Sequence, residues 1–140
     1  MLLPLTKSEM TKRIKEILLI DQAIVGEGWS EENFLFDLPE KWELSRQILA
    51  HDLIAGFLIA SHKNNAIHIH RLVVSNKFQN MGIGKQLVDE ILAAARGRKI
   101  KLITLKVLST NTDAIRFYER LRFVNKGHEN QNIRMEFRLN

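Results

Sequence analysis

The spacing of hydrophobic residues changes several times along the chain, and each spacing predicts a type of element. Apolar residues recur every three or four positions from Met10 to Ile24, which is typical of an amphipathic helix, and Ser30 is a candidate cap for a second helix. Extended segments then predict strands, and the short turns between 42–50, 53–61 and 66–74 make these three antiparallel neighbours. The predicted strands of the whole chain are residues 2–5, 42–50, 53–61, 66–74, 100–108, 123–126 and 133–139.

A long amphipathic helix interrupts the strands in the second half of the chain. Residues 83–96 carry their apolar side chains on one stripe, and Gly97 ends the pattern. A helical connection makes the strands before and after it parallel, and a shorter helix follows over 112–121. Together these elements predict an α+β fold, with a mixed, mostly antiparallel sheet and helices on both of its faces, in one domain over residues 1–140.

Composition excludes several classes of protein. The chain has no cysteine, which excludes disulfides, thiolate metal sites and a cysteine nucleophile, and we expect no bound metal. Its longest apolar run, residues 53–60, is too short to span a bilayer, so we expect no membrane partner and a cytoplasmic location. The net charge of +5 attracts polyanions but does not distinguish a polyanionic cofactor from a nucleic acid.

A pair of glycines lies between a predicted strand and the long helix, in the segment QNMGIG at 79–84. Glycines at such a junction let backbone amides face an anion, and the helix N-terminus adds partial positive charge. The pattern favours a pyrophosphate site, although glycines here also suit a tight turn or close helix packing. Two known phosphate loops do not fit, because Gln79 and Gln86 violate the Walker A pattern and Leu87 replaces the third glycine of the dinucleotide fingerprint.

A second block strengthens this interpretation. Asn111 and Ala114 are followed by the run FYERLRF at 117–123. In this order, the two blocks resemble the signatures of the GNAT family of N-acetyltransferases, which are Gln/Arg-x-x-Gly-x-Gly/Ala and Asn, Ala, Phe-Tyr-Glu-x-Leu-Gly-Phe. The resemblance extends over about residues 29–123, and it departs from the family at Arg122, where glycine is usual.

The resemblance implies acetyl-coenzyme A as the cofactor, with its pyrophosphate on the glycine loop. It also implies that strands 66–74 and 100–108 splay apart and that the pantetheine arm lies between them. Asn111 has two roles that are compatible, a contact with the cofactor and a helix cap. The cofactor-binding residues carried over from the family are Leu72, Val73, Val74, Gln79, Asn80, Met81, Gly82, Ile83, Gly84, Lys85, Asn111 and Tyr118.

The family position of Tyr118 implies a catalytic acid that protonates the departing thiolate. A phenol with a pKa near 10 can protonate a thiolate whose conjugate acid is near 8.5 at a cost of about 2 kcal/mol. The alternative is that Tyr118 only anchors its helix to the sheet.

The sequence gives no carboxylate for the general base. Bacterial enzymes of this family that acetylate ribosomal-protein N-termini resemble the chain in length, in residues 29–34 and in both motifs, but they carry Glu where Lys106 stands here. His68 and His70 share one face of the preceding strand and are alternatives, with His70 as our catalytic candidate. Each also has a structural interpretation. A histidine base predicts an inflection in the pH–rate profile near its ordinary pKa of about 6.5.

Without a strong base, acceptors of low pKa are favoured. At pH 7, neutralising a lysine amine takes about 4.6 kcal/mol, whereas an α-amine takes about 1 kcal/mol. We therefore expect direct acetyl transfer to a primary amine, in particular the α-amine of a protein or peptide, by a monomer or homodimer.

Other functions stay open. They are a basic nucleic-acid-binding module, which the motifs do not favour, a coenzyme A-binding protein without catalysis, and an acetyltransferase for aminoacyl-tRNA, small molecules or polyamines. Polyamines would require an acidic groove, for which the candidates are Glu27, Glu31, Glu32 and Asp37.

Overall fold

The computed structural model describes residues 1–25 and 28–140, which contain a seven-stranded sheet with helices on both faces. Its strands are β1 (Leu2–Pro4), β2 (Arg46–Ala50), β3 (Leu53–Lys63), β4 (Ala66–Val74), β5 (Leu102–Leu108), β6 (Val124–Glu129) and β7 (Asn132–Arg138). Its helices are α1 (Lys7–Val25), α2 (Glu31–Leu35), α3 (Lys41–Leu44), α4 (Ile83–Gly97) and α5 (Thr112–Arg120). None of these helices combines the length and the hydrophobicity needed to cross a membrane.

The strands lie in the order β1-β2-β3-β4-β5-β7-β6. Only β4 and β5 pair in parallel, because α4 connects them, and the other neighbours are antiparallel. One core packs α1 and α2 against the sheet, and the other packs α4 and α5 against the opposite face. The predicted α+β class, the mixed sheet and the two helical layers are confirmed.

The strand predicted at 42–50 is wrong in its first third. Residues Lys41–Leu44 form α3, and β2 begins at Arg46. The Lys41 side chain is buried, and its Nζ donates to the carbonyl oxygens of Phe34 and Phe36, each at 2.7 Å. These tertiary contacts hold a turn of helix where the local pattern resembles an extended segment, and burial lowers the pKa of Lys41 to about 8.

Helix α5 ends in a left-handed residue. The amide of Phe123 donates to the carbonyl of Tyr118 at 3.0 Å, and the amide of Arg122 donates to that of Glu119 at 2.9 Å. This pair of bonds is a Schellman motif, which requires a left-handed residue after the helix and usually has glycine there. Arg122 takes that conformation with φ 73°, which glycine adopts more easily, and this agrees with the glycine of the family signature at this position.

The pairing of β4 with β5 is short. It consists of three residue pairs, of which Ile69–Leu105 is the last, although β4 continues to Val74 and β5 to Leu108. The two strands therefore separate, as the family resemblance implied. On its other edge β4 has a bulge, because Ile59 pairs with Arg71 and Ala60 pairs with Ile69, so that no residue of β3 lies opposite the His70 backbone in the register.

Candidate functional site

A cavity of about 620 Å³ lies where β4 and β5 separate. Strand β4 contributes residues 69–73 to its walls, β5 contributes 105–108, and α5 contributes Ala114 and Tyr118. The turn between β6 and β7 closes one side with residues 130–132. From Leu72 to Val74, β4 pairs with β3 on one side but with none of the described strands on the side of β5, so polar backbone groups on that side can bind a ligand.

A second cavity, of about 710 Å³, adjoins the first. It lies between α5 and the loop that precedes α4, and Leu72, Ala114 and Tyr118 line both cavities. The two cavities together offer a long site with the glycine loop at one end and the β4–β5 gap at the other. Such a site suits an extended ligand that has an anionic end and a reactive end.

Gly82 and Gly84 are required in the loop for different structural reasons. Gly82 caps α4 with φ 77°, and a Cβ built there would meet nothing within 4 Å, so its open side faces free space. A Cβ on Gly84 would lie 3.0 Å from the Phe117 ring, which means that Gly84 allows α4 and α5 to pack closely. The amides of the first turn of α4 have no intrahelical acceptor, so this end of the helix can bind an anion.

Most of the cofactor-binding residues that the family resemblance implies line one of the two cavities. Val73 lines the first cavity, whereas Met81 is 62% exposed and lies outside both linings. Gln79 Nε2 donates to the carbonyl of Val74 at 2.8 Å and fixes the loop to the end of β4. Of the cofactor-binding residues that the family resemblance implies, those that line the second cavity are Leu72, Val74, Gln79, Asn80, Gly82, Ile83, Gly84, Lys85 and Tyr118.

Asn111 caps α5. Its Oδ1 accepts a hydrogen bond from the amide of Ala114 at 3.1 Å, and it lines neither cavity. The capping interaction is thus present, while a contact with the cofactor stays a prediction.

Tyr118 lies where the two cavities meet. It is 8% exposed, and its ring packs edge-on against Phe117 and Phe123 at centroid distances of 5.1 and 5.4 Å. Burial raises the pKa of its phenol well above the ordinary value. Tyr118 therefore carries its proton at neutral pH, as a proton donor must, and it also anchors α5 to the sheet.

The two histidines of β4 lie together, as strand alternation predicted, with ring centroids 4.8 Å apart. His70 Nε2 is 2.7 Å from Ser61 Oγ, and His68 Nδ1 is 2.7 Å from Thr104 Oγ1. Only His70 lines the first cavity.

Both histidines are neutral at pH 7. Burial, followed by the charge of neighbouring groups, lowers the pKa of each to about 4. For His68 those neighbours are Lys63, Lys106 and Arg134. A histidine base at either position would therefore give an inflection near pH 4 rather than near 6.5, and His70 is a weak base.

Lys106 occupies the wall of the first cavity. Its Nζ is 3.2 Å from Glu129 of β6, and both side chains are about half exposed. On the opposite wall, the Arg71 guanidinium lies 3.4 Å from the buried carboxylate of Asp21. Arg71 also stacks over the Trp29 ring at 5.2 Å.

The acidic residues considered for a polyamine groove lie elsewhere. Glu31 and Glu32 are exposed in the first turn of α2, and Asp37 pairs with Lys7 at 3.0 Å. Neither cavity includes these three residues, and Glu27 lies outside the described residues. Within residues 1–25 and 28–140, no group of three His, Asp or Glu side chains could hold a metal ion.

Several residues of the site did not emerge from the sequence. Ser61 binds His70, Trp29 lies 5.9 Å from the His70 ring, and residues 130–132 form part of the first cavity. Ser61 is nine residues from His70 in the sequence, and it directly follows the apolar run 53–60. The Asn-Gln-Asn turn at 130–132 was a usable signal, since polar turns between strands often carry binding residues.

Comparisons with known proteins agree with this geometry. Residues 14–123 match the sequence model of the acetyltransferase (GNAT) family. The ribosomal protein bS18-alanine N-acetyltransferase of Salmonella typhimurium is 28% identical over 104 residues, covering 74% of this chain and 70% of that protein. The crystal structure of the ribosomal-protein-S18-alanine N-acetyltransferase from Escherichia coli aligns over 99% of this chain and 93% of that one, with a TM-score of 0.85 and 20% identity. Arabidopsis thaliana Naa50 in complex with the bisubstrate analogue CoA-Ac-MVNAL aligns over 90% and 92%, with a TM-score of 0.76 and 18% identity.

Proposed function

Because this chain belongs to the acetyltransferase (GNAT) family, it is an acetyl-coenzyme A-dependent N-acetyltransferase that acts on an amine, and we propose that its acceptor is the α-amine of a protein or peptide. The observation that carries the proposal is the position of Tyr118 and His70. Tyr118 lies at the junction of the two cavities, and His70 lies in the wall of the first cavity. The first cavity is thus the route by which an acceptor would reach the acetyl group.

The residues present fit the cofactor. The free amides of the first turn of α4 and the open side of Gly82 would hold the pyrophosphate. The side of β4 that has no partner on β5 would bond the pantetheine through backbone groups of the segment Leu72, Val73 and Val74 other than the Val74 carbonyl, which accepts from Gln79, and an amide there can polarise a carbonyl. When bound, acetyl-coenzyme A supplies a thioester carbonyl that the amine attacks directly.

Tyr118 then has the role of acid. With the cofactor bound, its hydroxyl would donate a proton to the departing thiolate and would be reprotonated from solvent. The raised pKa of the phenol does not exclude this, because the same buried surroundings disfavour the thiolate as well.

His70 has the role of hydrogen-bond acceptor for the amine. In one tautomer of His70, Nε2–H donates to Ser61 Oγ. The Nδ1 lone pair can then accept a hydrogen bond from the nitrogen of the substrate amine. Because the pKa of His70 is lowered to about 4, it cannot deprotonate an ammonium group efficiently. It can take the proton that the nitrogen releases as the amide forms.

The acceptor must therefore arrive as a neutral amine. At pH 7 an α-amine meets this requirement at a lower free-energy cost than a lysine side chain, by about 3.5 kcal/mol. The charges of the described cavity residues also disfavour polyamines, since Arg71 and Lys106 are both cations. We further place the protein in the cytoplasm and leave monomer and homodimer as alternatives.

An acceptor screen tests the proposal. The protein is incubated with acetyl-coenzyme A and one of four acceptors: peptides with a free α-amine, N-terminally blocked peptides with one lysine, spermidine, or aminoacyl-tRNA. Release of the thiol is followed from pH 6 to 9. We expect the α-amine peptides to react up to about 400-fold faster than the lysine peptides at pH 7, with the logarithm of the rate rising at a slope near one up to the amine pKa. Faster reaction of spermidine or of the lysine peptides would refute the assignment of the acceptor.

A further inference from the structure

The first cavity has a positive wall. Among the described residues that line it, the fully charged side chains are Arg71 and Lys106, and the remaining polar ones are His70, Tyr118 and residues 130–132. No described carboxylate belongs to the lining, because Asp21 and Glu129, which pair with the two cations, lie outside it. An acceptor that enters this cavity therefore passes two cations.

Lys106 is held only loosely by its present partner. Its contact with Glu129 is 3.2 Å, but the side chains of the pair are 45% and 47% exposed. An exposed ion pair of this kind contributes little to stability and is weakened by salt, so Lys106 can exchange one carboxylate for another. Arg71 differs, since its partner Asp21 is fully buried and the pair belongs to the packing of α1 on β4.

A further cation lies beside Lys106 on this face of the sheet, although Glu136 pairs with it at 3.0 Å. Lys106 pairs in register with Arg134 of β7, and the charges of both contribute, after burial, to lowering the pKa of His68. A carboxylate brought to Lys106 would therefore enter a favourable field, and a second cation there would be repelled.

Resting on the proposed function, we propose that Lys106 is a specificity residue that selects protein or peptide N-termini carrying Asp or Glu at their second or third residue. An extended peptide advances about 3.3 Å per residue, so a side chain one or two residues from the reacting amine is still within reach of the walls of this cavity. The acidic side chain would replace Glu129 as the partner of Lys106. The acceptor class is thus an acidic N-terminus.

The test compares matched peptides that differ at one position. Peptides with Asp, Asn or Lys at residue 2, and a second set with these at residue 3, are assayed for kcat/KM at low and at high salt. Binding of the same peptides is measured by calorimetry in the presence of coenzyme A. The variants are Lys106→Gln and Lys106→Glu, and the control is Lys101→Glu, which makes the same charge change at an exposed residue that lines neither cavity.

We expect the parent to prefer Asp over Asn at one of the two positions by about threefold at low salt, with a smaller preference at high salt. Lys106→Gln should abolish the preference, Lys106→Glu should turn it into a preference for Lys, and Lys101→Glu should leave it unchanged. Equal rates for Asp and Asn peptides, or an equal effect of Lys101→Glu, would overturn the selection by Lys106 while leaving α-amine acetylation in place. Failure of every peptide to react would instead overturn the proposed function.

Discussion

Tyr118 has a packing role through its ring and a proposed catalytic role through its hydroxyl, and one substitution separates the two. Replacing it by phenylalanine keeps the ring that packs against Phe117 and Phe123 and removes only the hydroxyl at the junction of the cavities. We expect Tyr118→Phe to lower turnover about 100-fold, because general acids contribute at least that much, and to leave the affinity for coenzyme A nearly unchanged. Steady-state kinetics with an α-amine peptide and calorimetry with coenzyme A measure the two effects. Turnover at the parent rate would remove Tyr118 from the mechanism.

Gly82 allows a test of the anion site that separates backbone strain from binding. Gly82→Ala puts a methyl group on the open side of the loop at φ 77°, where a left-handed alanine is strained. Gly127→Ala is the matched control, because Gly127 also has positive φ and free space around it but lines neither cavity. Both variants should lose about 1 kcal/mol of stability, whereas only Gly82→Ala should weaken coenzyme A binding, by about tenfold or more. Equal affinities of the two variants would contradict the pyrophosphate site.

At the scale of the element, the end of α5 is built with an unfavourable residue. The Schellman motif places Arg122 at φ 73°, a conformation that a residue with a Cβ adopts at a cost of about 1 kcal/mol. We expect Arg122→Gly to raise the free energy of unfolding by about that amount and Tm by about 3 °C. Glu119→Gly, one turn earlier inside the helix, should lower stability by about 1 kcal/mol, which makes it the control. Thermal unfolding that shows the same direction for both variants would disprove the account.

The elements that the sequence predicted well are those whose pattern and packing agree. The stripe on α4 and the alternation in β4 place their side chains as expected, including the shared face of His68 and His70. Residues 42–45 were mispredicted because the buried Lys41, which binds carbonyls of residues 34 and 36, determines their conformation through contacts that periodicity does not contain.

The candidate site divides in the same way. The glycine loop was found because its residues are consecutive. The partners of the histidines were not found, because Ser61 and Thr104 lie on other strands and depend on register. The lowered pKa values follow from burial, which a single sequence does not show.

For the whole molecule, the buried histidines make stability depend on pH. In the unfolded chain they bind protons below about pH 6.5, while in the folded protein the pKa of each is lowered to about 4. The unfolded state thus binds more protons between these values, and the stability present above pH 6.5 is lost as the pH falls towards 4. Burial raises the pKa of Asp21, which acts in the opposite direction and offsets part of the effect.

We expect each histidine to contribute up to about 2 kcal/mol of this loss, a value reduced because neither side chain is fully buried. Denaturant unfolding at pH 7, 6, 5 and 4 measures it. The double variant His68→Gln/His70→Gln should show a flatter profile than the parent, whereas His128→Gln, at an exposed position of β6, should keep the parent profile. A double variant with the parent slope would mean that other groups cause the acid sensitivity.

The short pairing of β4 with β5 has a consequence for how the protein unfolds. Backbone bonds divide the sheet into a four-stranded part, β1 to β4, and a three-stranded part, β5, β7 and β6, joined at three residue pairs. Cooperative unfolding of the two parts therefore depends on side chains, above all on the packing of α4 across both. A ligand seated in the gap would bond to both parts and stabilise the folded state by mass action. Hydrogen exchange along the open edge of β4 should then slow as coenzyme A is added, and the lifetime of the protein against proteases should follow the supply of its own substrate.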